Sequence, residues 1–202
     1  MNNYIKKIIA LIILIITSPL LLLFFVVTKL TSSGTFIFKQ KRLGKNKKPF
    51  YMYKIRTMVN NAEKLKPSFY HLNEADGPVF KIREDPRYTK IGKFLSHTGL
   101  DEIPQLVNII KGEMDFVGPR PLPVTEALKV PKKYQKRFTV APGMTSTWII
   151  NGAHKLTFDQ WMKLDVEYAK NKNLTFDIKI LAKTFTTIIL LVINKLLNIE
   201  NT

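Results

Sequence analysis

The sequence predicts a mostly helical α+β protein in which an N-terminal membrane helix precedes a small domain. Three observations support this class. An uncharged apolar run covers residues 8–27, two aromatic-rich runs flank a short polar turn at 44–47, and helical apolar spacing recurs through much of the remaining chain. With 202 residues, 46% of them hydrophobic, the chain is long enough for one domain with its own core. We therefore divide it into residues 1–30, the membrane helix, and residues 31–202, the domain.

The N-terminal run, 8–27, contains no charged residue. As a straight helix it would be about 30 Å long, which is enough to span a bilayer. Pro19 lies in its middle and cannot donate the hydrogen bond that the carbonyl of Ile15 would accept. We expect a bend at Ser18 and Pro19, with the Ser18 hydroxyl satisfying the freed backbone.

Basic residues lie at both ends of this run. Lys6 and Lys7 precede it, and Lys29 and a lysine-rich cluster at 39–48 follow it. Under the positive-inside rule both ends belong on the cytoplasmic side. A re-entrant helix that enters one leaflet and returns allows this arrangement, whereas a straight span does not. An ordinary transmembrane anchor and a cleaved signal peptide remain as alternatives.

The two aromatic-rich runs, 36–42 and 50–56, predict a β-hairpin. Lys54 and Arg56 are two residues apart, so on a strand they would share one face and could both bind a diphosphate. A solvated basic strand, or contact with lipid head groups, is the alternative interpretation.

Apolar spacing and polar boundaries predict further helices around the hairpin and after it. In the last of them, apolar residues such as Ile178, Phe185 and Ile189 fit a helix that lies in the membrane interface, and equally a packed core helix. The predicted helices cover residues 60–66, 90–97, 127–138 and 176–197.

The stretch 98–121 concentrates the residues best suited to chemistry. Asp101 and Glu102 directly precede an apolar pattern of helical spacing that stops at Gly112, which predicts that they lie in the first turn of a helix together with Pro104. The partial positive charge of a helix N-terminus favours an ionised carboxylate. We therefore expect Asp101 to be an anion that can bind a metal or attack an electrophile.

Arg120 lies between Pro119 and Pro121, whose stiff backbone suits presentation of a guanidinium to a phosphate. A carboxylate pair, an arginine and Mg2+ are typical of phosphoryl transfer. The alternative is a helix cap at Asp101, a solvated Glu102 and a surface salt bridge at Arg120.

The formal net charge of +17 predicts an anionic partner: nucleic acid, anionic lipid or a phosphorylated substrate. The apolar N-terminus favours the last two. The chain has no cysteine, which excludes disulfides and thiolate metal sites. His71, His97 and His154 are far apart and lack the spacing of metal ligands.

Together these residues resemble the bacterial sugar transferases, the monotopic phosphoglycosyl transferases that begin exopolysaccharide, capsule or glycoprotein-glycan assembly. The resemblance covers nearly the whole chain. The matching residues are 100–106, Asn108, 111–114 and 117–121 in the central stretch, Phe38, Gln40, Arg42, Gly44, Phe50, Tyr53, Lys54 and 56–58 in the hairpin region, and Phe158, Trp161, Leu164, Asp165, Glu167 and Tyr168 further on.

This resemblance implies transfer of a sugar-1-phosphate from a UDP-sugar to polyprenyl phosphate, through a covalent phosphosugar-aspartate, at the cytoplasmic face of the inner membrane. Asp101, Glu102 and Arg120 would be catalytic, and Asp101 and Glu102 would hold Mg2+. Besides the two substrates, the expected partner is membrane lipid, and no nucleic acid is expected. A second copy of the chain or downstream glycosyltransferases are further candidate partners. The expected substrate-binding residues are Lys54, Arg56, Gln105, Pro119 and Trp148.

Three positions depart from the family pattern: Ser96 and Ala153 stand where arginine is usual, and Ile149 where glutamine is usual. These departures leave a divergent, weakly active enzyme or a non-catalytic basic membrane-binding protein as alternatives. The run G-P-V-F-K at 77–81 resembles members that transfer a hexose, which favours glucose or galactose as the sugar.

Overall fold

The computed structural model describes residues 2–152 and 156–196. This part is predominantly helical with two small two-stranded sheets, which confirms the predicted α+β class. Ala153, His154 and residue 197 lie outside the described residues. The helices are α1 (Asn3–Thr31), α2 (Ala62–Leu65), α3 (Lys90–Thr98), α4 (Gln105–Lys111), α5 (Val124–Ala127), α6 (Thr147–Ile150), α7 (Phe158–Asn171) and α8 (Leu174–Leu196), and the strands are β1 (Ile37–Leu43), β2 (Pro49–Ile55), β3 (Asp115–Val117) and β4 (Gly143–Thr145).

The N-terminal helix α1 is continuous through Pro19 and is long and apolar enough to cross a membrane. The Ser18 hydroxyl donates to the carbonyl of Ile15 at 2.7 Å. Ile15 carries the carbonyl that proline leaves without its helical donor, so Ser18 takes the role predicted for it. Because the helix is not interrupted there, the bend at Ser18 and Pro19 stays a prediction.

Contacts with the domain extend along much of α1. Ala10 is buried in the main core and Phe24 in a second apolar cluster. Near the N-terminus Lys6 pairs with Asp115, and near the C-terminus Lys29 Nζ donates to the carbonyl of Gly34 at 2.9 Å. The same domain therefore contacts both ends of α1.

The predicted hairpin is confirmed. β1 and β2 pair antiparallel with Phe38 opposite Lys54. The turn between them has left-handed backbone at Asn46 and Lys47, with φ of 54° and 59°. This hairpin supplies one wall of the candidate site described below.

A second sheet, β3 beside β4, was not predicted. The strands are parallel, with Asp115 opposite Gly143 and Val117 opposite Thr145. A Cβ atom on Gly143 would overlap the backbone at Gly118, so this close approach requires glycine. The pairing fixes the position from which the segment carrying Arg120 leaves β3.

The carboxylate pair does not occupy the first turn of an α-helix, as the sequence predicts. Asp101 and Glu102 lie in a separate 3-10 turn, Leu100–Glu102, and Pro104 caps α4. The predicted end of that helix is correct, because Gly112 follows it in left-handed conformation with φ of 78°.

Proline changes two other predictions. The α-helix expected over 127–138 is not formed: α5 overlaps this range only at Ala127, and a 3-10 turn, Lys132–Thr139, follows Pro131, which cannot continue a helix. The helix expected over 60–66 does not end the regular structure at Pro67. A 3-10 turn, Lys66–Leu72, continues there, because proline fits a first turn.

The remaining two predicted helices are present as α3 and α8. Leu95 of α3 is completely buried, and the helix is capped by Thr89, whose side chain accepts from the N–H of Gly92. In α8, Ile180 is completely buried, whereas Ile178 and Phe185 are 56% and 66% exposed. One face of α8 therefore packs in the core, and another presents apolar side chains outward.

Candidate active site

The turn that carries Asp101 and Glu102 begins where α3 ends. Gly99 has a φ of 75°, which terminates α3 and reverses the chain. The next residues form the 3-10 turn Leu100–Glu102, and Asp101 is only 4% exposed. The two carboxylates are thus held in a short, tight segment between two helices.

Glu102 is the electrostatic centre of the site. Its Oε1 atom accepts from Lys54 Nζ at 2.7 Å and from Arg120 Nη2 at 2.8 Å. Burial disfavours the ionised carboxylate, but Arg120 and Lys54 outweigh this effect and hold the pKa of Glu102 well below its usual range. Glu102 is therefore an anion that fixes two cations in place.

Asp101 has a different environment. Lys54 Nζ lies 3.4 Å from its Oδ2, a long contact for oppositely charged groups. Burial, together with the adjacent Glu102, raises the pKa of Asp101, while Lys54 and Arg120 oppose the rise. The expected stabilisation by a helix N-terminus is thus replaced by two side-chain cations acting against burial.

The hairpin places Lys54 beside the carboxylates. Asn108 of α4 is fully buried; its Oδ1 accepts from the N–H of Tyr53 at 3.1 Å and its Nδ2 donates to the carbonyl of Tyr51 at 2.7 Å. These bonds tie β2 to α4. The sequence matched Asn108 to a family pattern but did not reveal that it joins the two elements.

Arg120 is positioned by a buried ion pair that the sequence did not reveal. Arg137 donates through Nη2 to the carbonyl of Arg120 at 2.7 Å and binds Asp165 Oδ2 at 2.8 Å. Both side chains of that pair are almost completely buried, and burial raises the pKa of Asp165 to about 6 despite Arg137. The only sequence signal was that Asp165 matched a family position.

Arg56 does not join Lys54 at the carboxylates. Its guanidinium donates to the Ser32 hydroxyl at 2.8 Å and to Asn60 Oδ1 at 2.6 Å, and it also bonds the backbone carbonyls of Ser32 and Ser33. β2 ends at Ile55, and the N–H of Arg56 donates to the carbonyl of Phe36 at 2.8 Å. Arg56 therefore links the end of α1 to the hairpin, and its expected role in binding a diphosphate stays a prediction.

The other expected substrate-binding residues, Gln105, Pro119 and Trp148, lie on segments next to the carboxylate turn or to Arg120. Gln105 is 1% exposed and follows the carboxylate turn at the start of α4. The carbonyl of Pro119 accepts from the N–H of Gly143 at 3.1 Å, which holds the Arg120 segment against β4. Trp148 stacks on Trp161 with ring centroids 4.7 Å apart, and Arg120 Cζ lies 5.7 Å from its ring. Trp148 is thus the aromatic neighbour of Arg120.

Two of the residues that depart from the family pattern, Ser96 and Ile149, have defined contacts in the structure. The Ser96 hydroxyl and the Tyr88 hydroxyl are 2.9 Å apart, and burial raises the pKa of Tyr88, with Asp101 adding to the rise. Ile149 packs against the apolar cluster that contains Trp148 and Trp161. Serine at position 96 therefore orients a tyrosine near the carboxylates.

The two carboxylates could hold a divalent metal that is shared with substrate. Within the described residues, no group of three acidic, histidine or cysteine side chains could enclose a metal. Lys54 lies near Oδ2 of Asp101, and both Lys54 and Arg120 donate to Oε1 of Glu102. Oδ1 of Asp101 and Oε2 of Glu102 therefore have no hydrogen-bond donor from the described chain. Mg2+ commonly binds one or two carboxylates and completes its shell with water and substrate phosphates.

Comparison with known proteins identifies the family. The model for "Bacterial sugar transferase" matches residues 1–190. The chain belongs to the bacterial sugar transferase family. This transferase therefore shares with its family the stretch in which the carboxylates, Arg120 and α4 occur.

Curated relatives of the transferase include enzymes of polysaccharide assembly. It is 41% identical over 158 residues to "Galactosyl transferase CpsE" of Streptococcus agalactiae serotype III, covering 78% of this chain and 35% of that protein. It is 36% identical over 159 residues to "Undecaprenyl-phosphate galactose phosphotransferase" of Salmonella typhimurium, covering 75% and 33%. "Exopolysaccharide production protein ExoY" of Sinorhizobium fredii is 34% identical over 168 residues, covering 81% and 74%.

The match spans only part of the first two relatives, 35% and 33% of their lengths, and most of the ExoY protein. The shared segment contains the candidate site of this transferase. What the longer relatives do as whole proteins is thus carried over only as a proposal.

Proposed function

We propose that this transferase moves a sugar-1-phosphate from a UDP-sugar to polyprenyl phosphate, giving polyprenyl-diphosphate-sugar and UMP. The observation that carries the proposal is the buried pair Asp101 and Glu102 with two cations, Lys54 and Arg120, both in contact with Glu102 Oε1. A phosphate brought to this place meets a carboxylate able to attack it and positive charge able to stabilise the transition state. The names of the relatives, which include a galactose phosphotransferase using undecaprenyl phosphate, support the substrate classes.

In the first half-reaction, an oxygen of Asp101 attacks the sugar-bearing phosphorus of the donor. The new bond joins Asp101 to phosphorus, and the bond from phosphorus to the bridging oxygen breaks. That oxygen leaves with its electron pair as part of UMP. Lys54 and Arg120 offset the negative charge that develops on the phosphoryl oxygens, and Glu102 holds both cations in position.

In the second half-reaction, an oxygen of the lipid phosphate attacks the same phosphorus. The bond to Asp101 breaks, and the carboxylate is regenerated. Covalent catalysis of this kind lets a water-soluble donor and a membrane-bound acceptor use one site in turn. Mg2+ held by Asp101 and Glu102 would neutralise donor phosphate charge when bound.

We further propose that residues 1–30 form a re-entrant membrane helix and that residues 31–202 form the catalytic domain on the cytoplasmic face of the inner membrane. Support comes from the contacts at the two ends of α1: Lys6 pairs with Asp115, and Ser32, directly after the helix, accepts from Arg56. A helix that crossed the bilayer completely would place these ends on opposite sides of the membrane, where one domain could not contact both. Exposed apolar residues of α1 and α8, such as Ile16 and Phe185, provide surface for lipid.

The topology can be tested by cysteine labelling, because the chain contains no cysteine of its own. We expect Asn2→Cys in intact cells to be protected from a membrane-impermeant thiol reagent and to react after permeabilisation. Lys45→Cys, in the exposed hairpin turn, is the matched cytoplasmic control and should behave identically. Labelling of Asn2→Cys from outside, with Lys45→Cys protected, would show a full transmembrane span.

The activity is tested by UMP release. The full chain in nanodiscs containing polyprenyl phosphate is assayed against a panel of UDP-sugars with Mg2+. We expect release with UDP-galactose or UDP-glucose to exceed release with N-acetylated donors, to stop when EDTA is added, and to return with excess Mg2+. No UMP release with any donor would refute the proposed function and favour a non-catalytic basic membrane-binding protein.

A further inference from the structure

A second cation, Lys81, lies beside Arg120 without taking part in the carboxylate cluster. Lys81 Nζ is 4.6 Å from the centroid of the Trp148 ring, and Arg120 Cζ is 5.7 Å from the same ring. Trp161 stacks on the same indole, with ring centroids 4.7 Å apart. Trp148 is therefore an aromatic contact shared by the ammonium of Lys81 and the guanidinium of Arg120.

Lys81 has no ion-pair partner in the described part of the chain, although the charge of Glu74 acts on it from a greater distance. Arg120, in contrast, is paired with Glu102. Burial, and then the proximity of Arg120, lower the pKa of Lys81 to about 8. Burial, and then the charge of Arg120, also lower the pKa of Arg42 to about 10, and the buried Nε of Arg42 has no hydrogen-bond partner among the described residues. Clustered, partly desolvated cations of this kind favour the binding of an anion.

Two hydrogen bonds fix the backbone around Lys81. Asn73 Oδ1 accepts from the N–H of Lys81 at 2.7 Å, and the carbonyl of Lys81 accepts from the N–H of Glu74 at 2.9 Å. Trp148 is held in place by Trp161. A ligand at this position would therefore meet a preformed surface, with little ordering required on binding.

We propose that Lys81 and Arg120, above Trp148, bind the phosphate that departs with the nucleotide. This inference rests on the proposed function and names a subsite within it. A UDP-sugar carries two linked phosphates. Lys54 and Arg120 contact the carboxylates and suit the sugar-bearing phosphate that Asp101 attacks. Lys81 contacts neither carboxylate but shares the Trp148 ring with Arg120, which makes it a partner for the adjacent phosphate.

The charge balance of the reaction agrees with this assignment. When the bond between the phosphorus and the bridging oxygen breaks, the electron pair stays on the oxygen of the departing UMP, whose phosphate becomes more negative. Lys81 offsets that charge. The lipid phosphate then attacks the same phosphorus from the side that UMP has left, opposite Asp101, so it meets Lys81 as well.

The test compares Lys81→Met, Lys81→Arg and the matched control Lys133→Met. Lys133 Nζ lies 4.7 Å from the ring of Tyr134, so the control removes an equivalent cation and aromatic contact at the protein surface. For Lys81→Met we expect the KM for the UDP-sugar and the inhibition constant of UMP to rise about 10- to 100-fold, and the KM for polyprenyl phosphate to rise with them. Lys81→Arg should recover most of the loss, and Lys133→Met should match the wild type.

The outcomes separate this inference from the proposed function. No UMP release by the wild type would refute the function. A wild type that turns over, with a Lys81→Met variant whose donor KM and UMP inhibition are unchanged or whose acceptor KM alone rises, would refute the subsite. If Lys81→Met folds but is inactive, equilibrium binding decides: we expect weaker UMP binding and unchanged uridine binding, and equal loss of both would overturn the assignment.

Discussion

Asp101→Asn is expected to lower the rate of UMP release by at least about a thousandfold. Asparagine has nearly the same size and can still accept from Lys54, but its amide oxygen is a far weaker nucleophile toward phosphorus. We further expect that wild-type protein, incubated with the UDP-sugar and no lipid acceptor, gains the mass of one phosphosugar, and that the variant does not. Intact-protein mass spectrometry and UMP release measure the two effects.

The control for this substitution is Asp159→Asn, which makes the same chemical change on the exposed side of α7. It should retain wild-type activity within about twofold, because exposed ion pairs contribute little. Thermal unfolding of both variants verifies that they fold. An Asp101→Asn protein that turns over normally, or that carries the adduct, would show that Asp101 is not the nucleophile.

Arg137→Met is expected to lower the free energy of unfolding by about 3–5 kcal/mol, because it leaves Asp165 as a buried carboxylate without its cation. For a chain of this size, this corresponds to a fall in Tm on the order of 10 °C. Activity should fall as well, since Arg137 also donates to the carbonyl of Arg120. Thermal unfolding in nanodiscs and UMP release at a temperature where the variant remains folded measure the two effects separately.

Two further variants test the cause. Lys133→Met breaks an ion pair with Asp159 that is more than 40% exposed on both sides, and should change stability by less than about 1 kcal/mol. Replacing Asp165 by Leu in the Arg137→Met background removes the stranded charge and should recover much of the lost stability. If the double variant is no more stable than Arg137→Met, loss of packing and not the unpaired carboxylate explains the defect.

Local sequence signals predicted the elements whose boundaries depend on neighbouring residues. The hairpin, α3 and the end of α4 at Gly112 follow from strand alternation, apolar spacing and a glycine in left-handed conformation. The predictions that failed depend on short-range detail or on distant contacts. After Pro131 a 3-10 turn replaces one predicted α-helix, and the carboxylate pair lies in a 3-10 turn of its own before α4.

By itself, the sequence determined the chemical groups of the site: two adjacent carboxylates, an arginine between prolines, and an apolar N-terminal segment. Only the tertiary structure decided which cations meet them. Lys54 reaches Asp101 from 47 residues away in the chain, and Arg137 reaches Asp165 across 28 residues. Spacing along the chain carries no information about such pairs, because their distances are set by the packing of β2 on α4 and of the 132–139 turn on α7, where burial makes an unpaired charge costly.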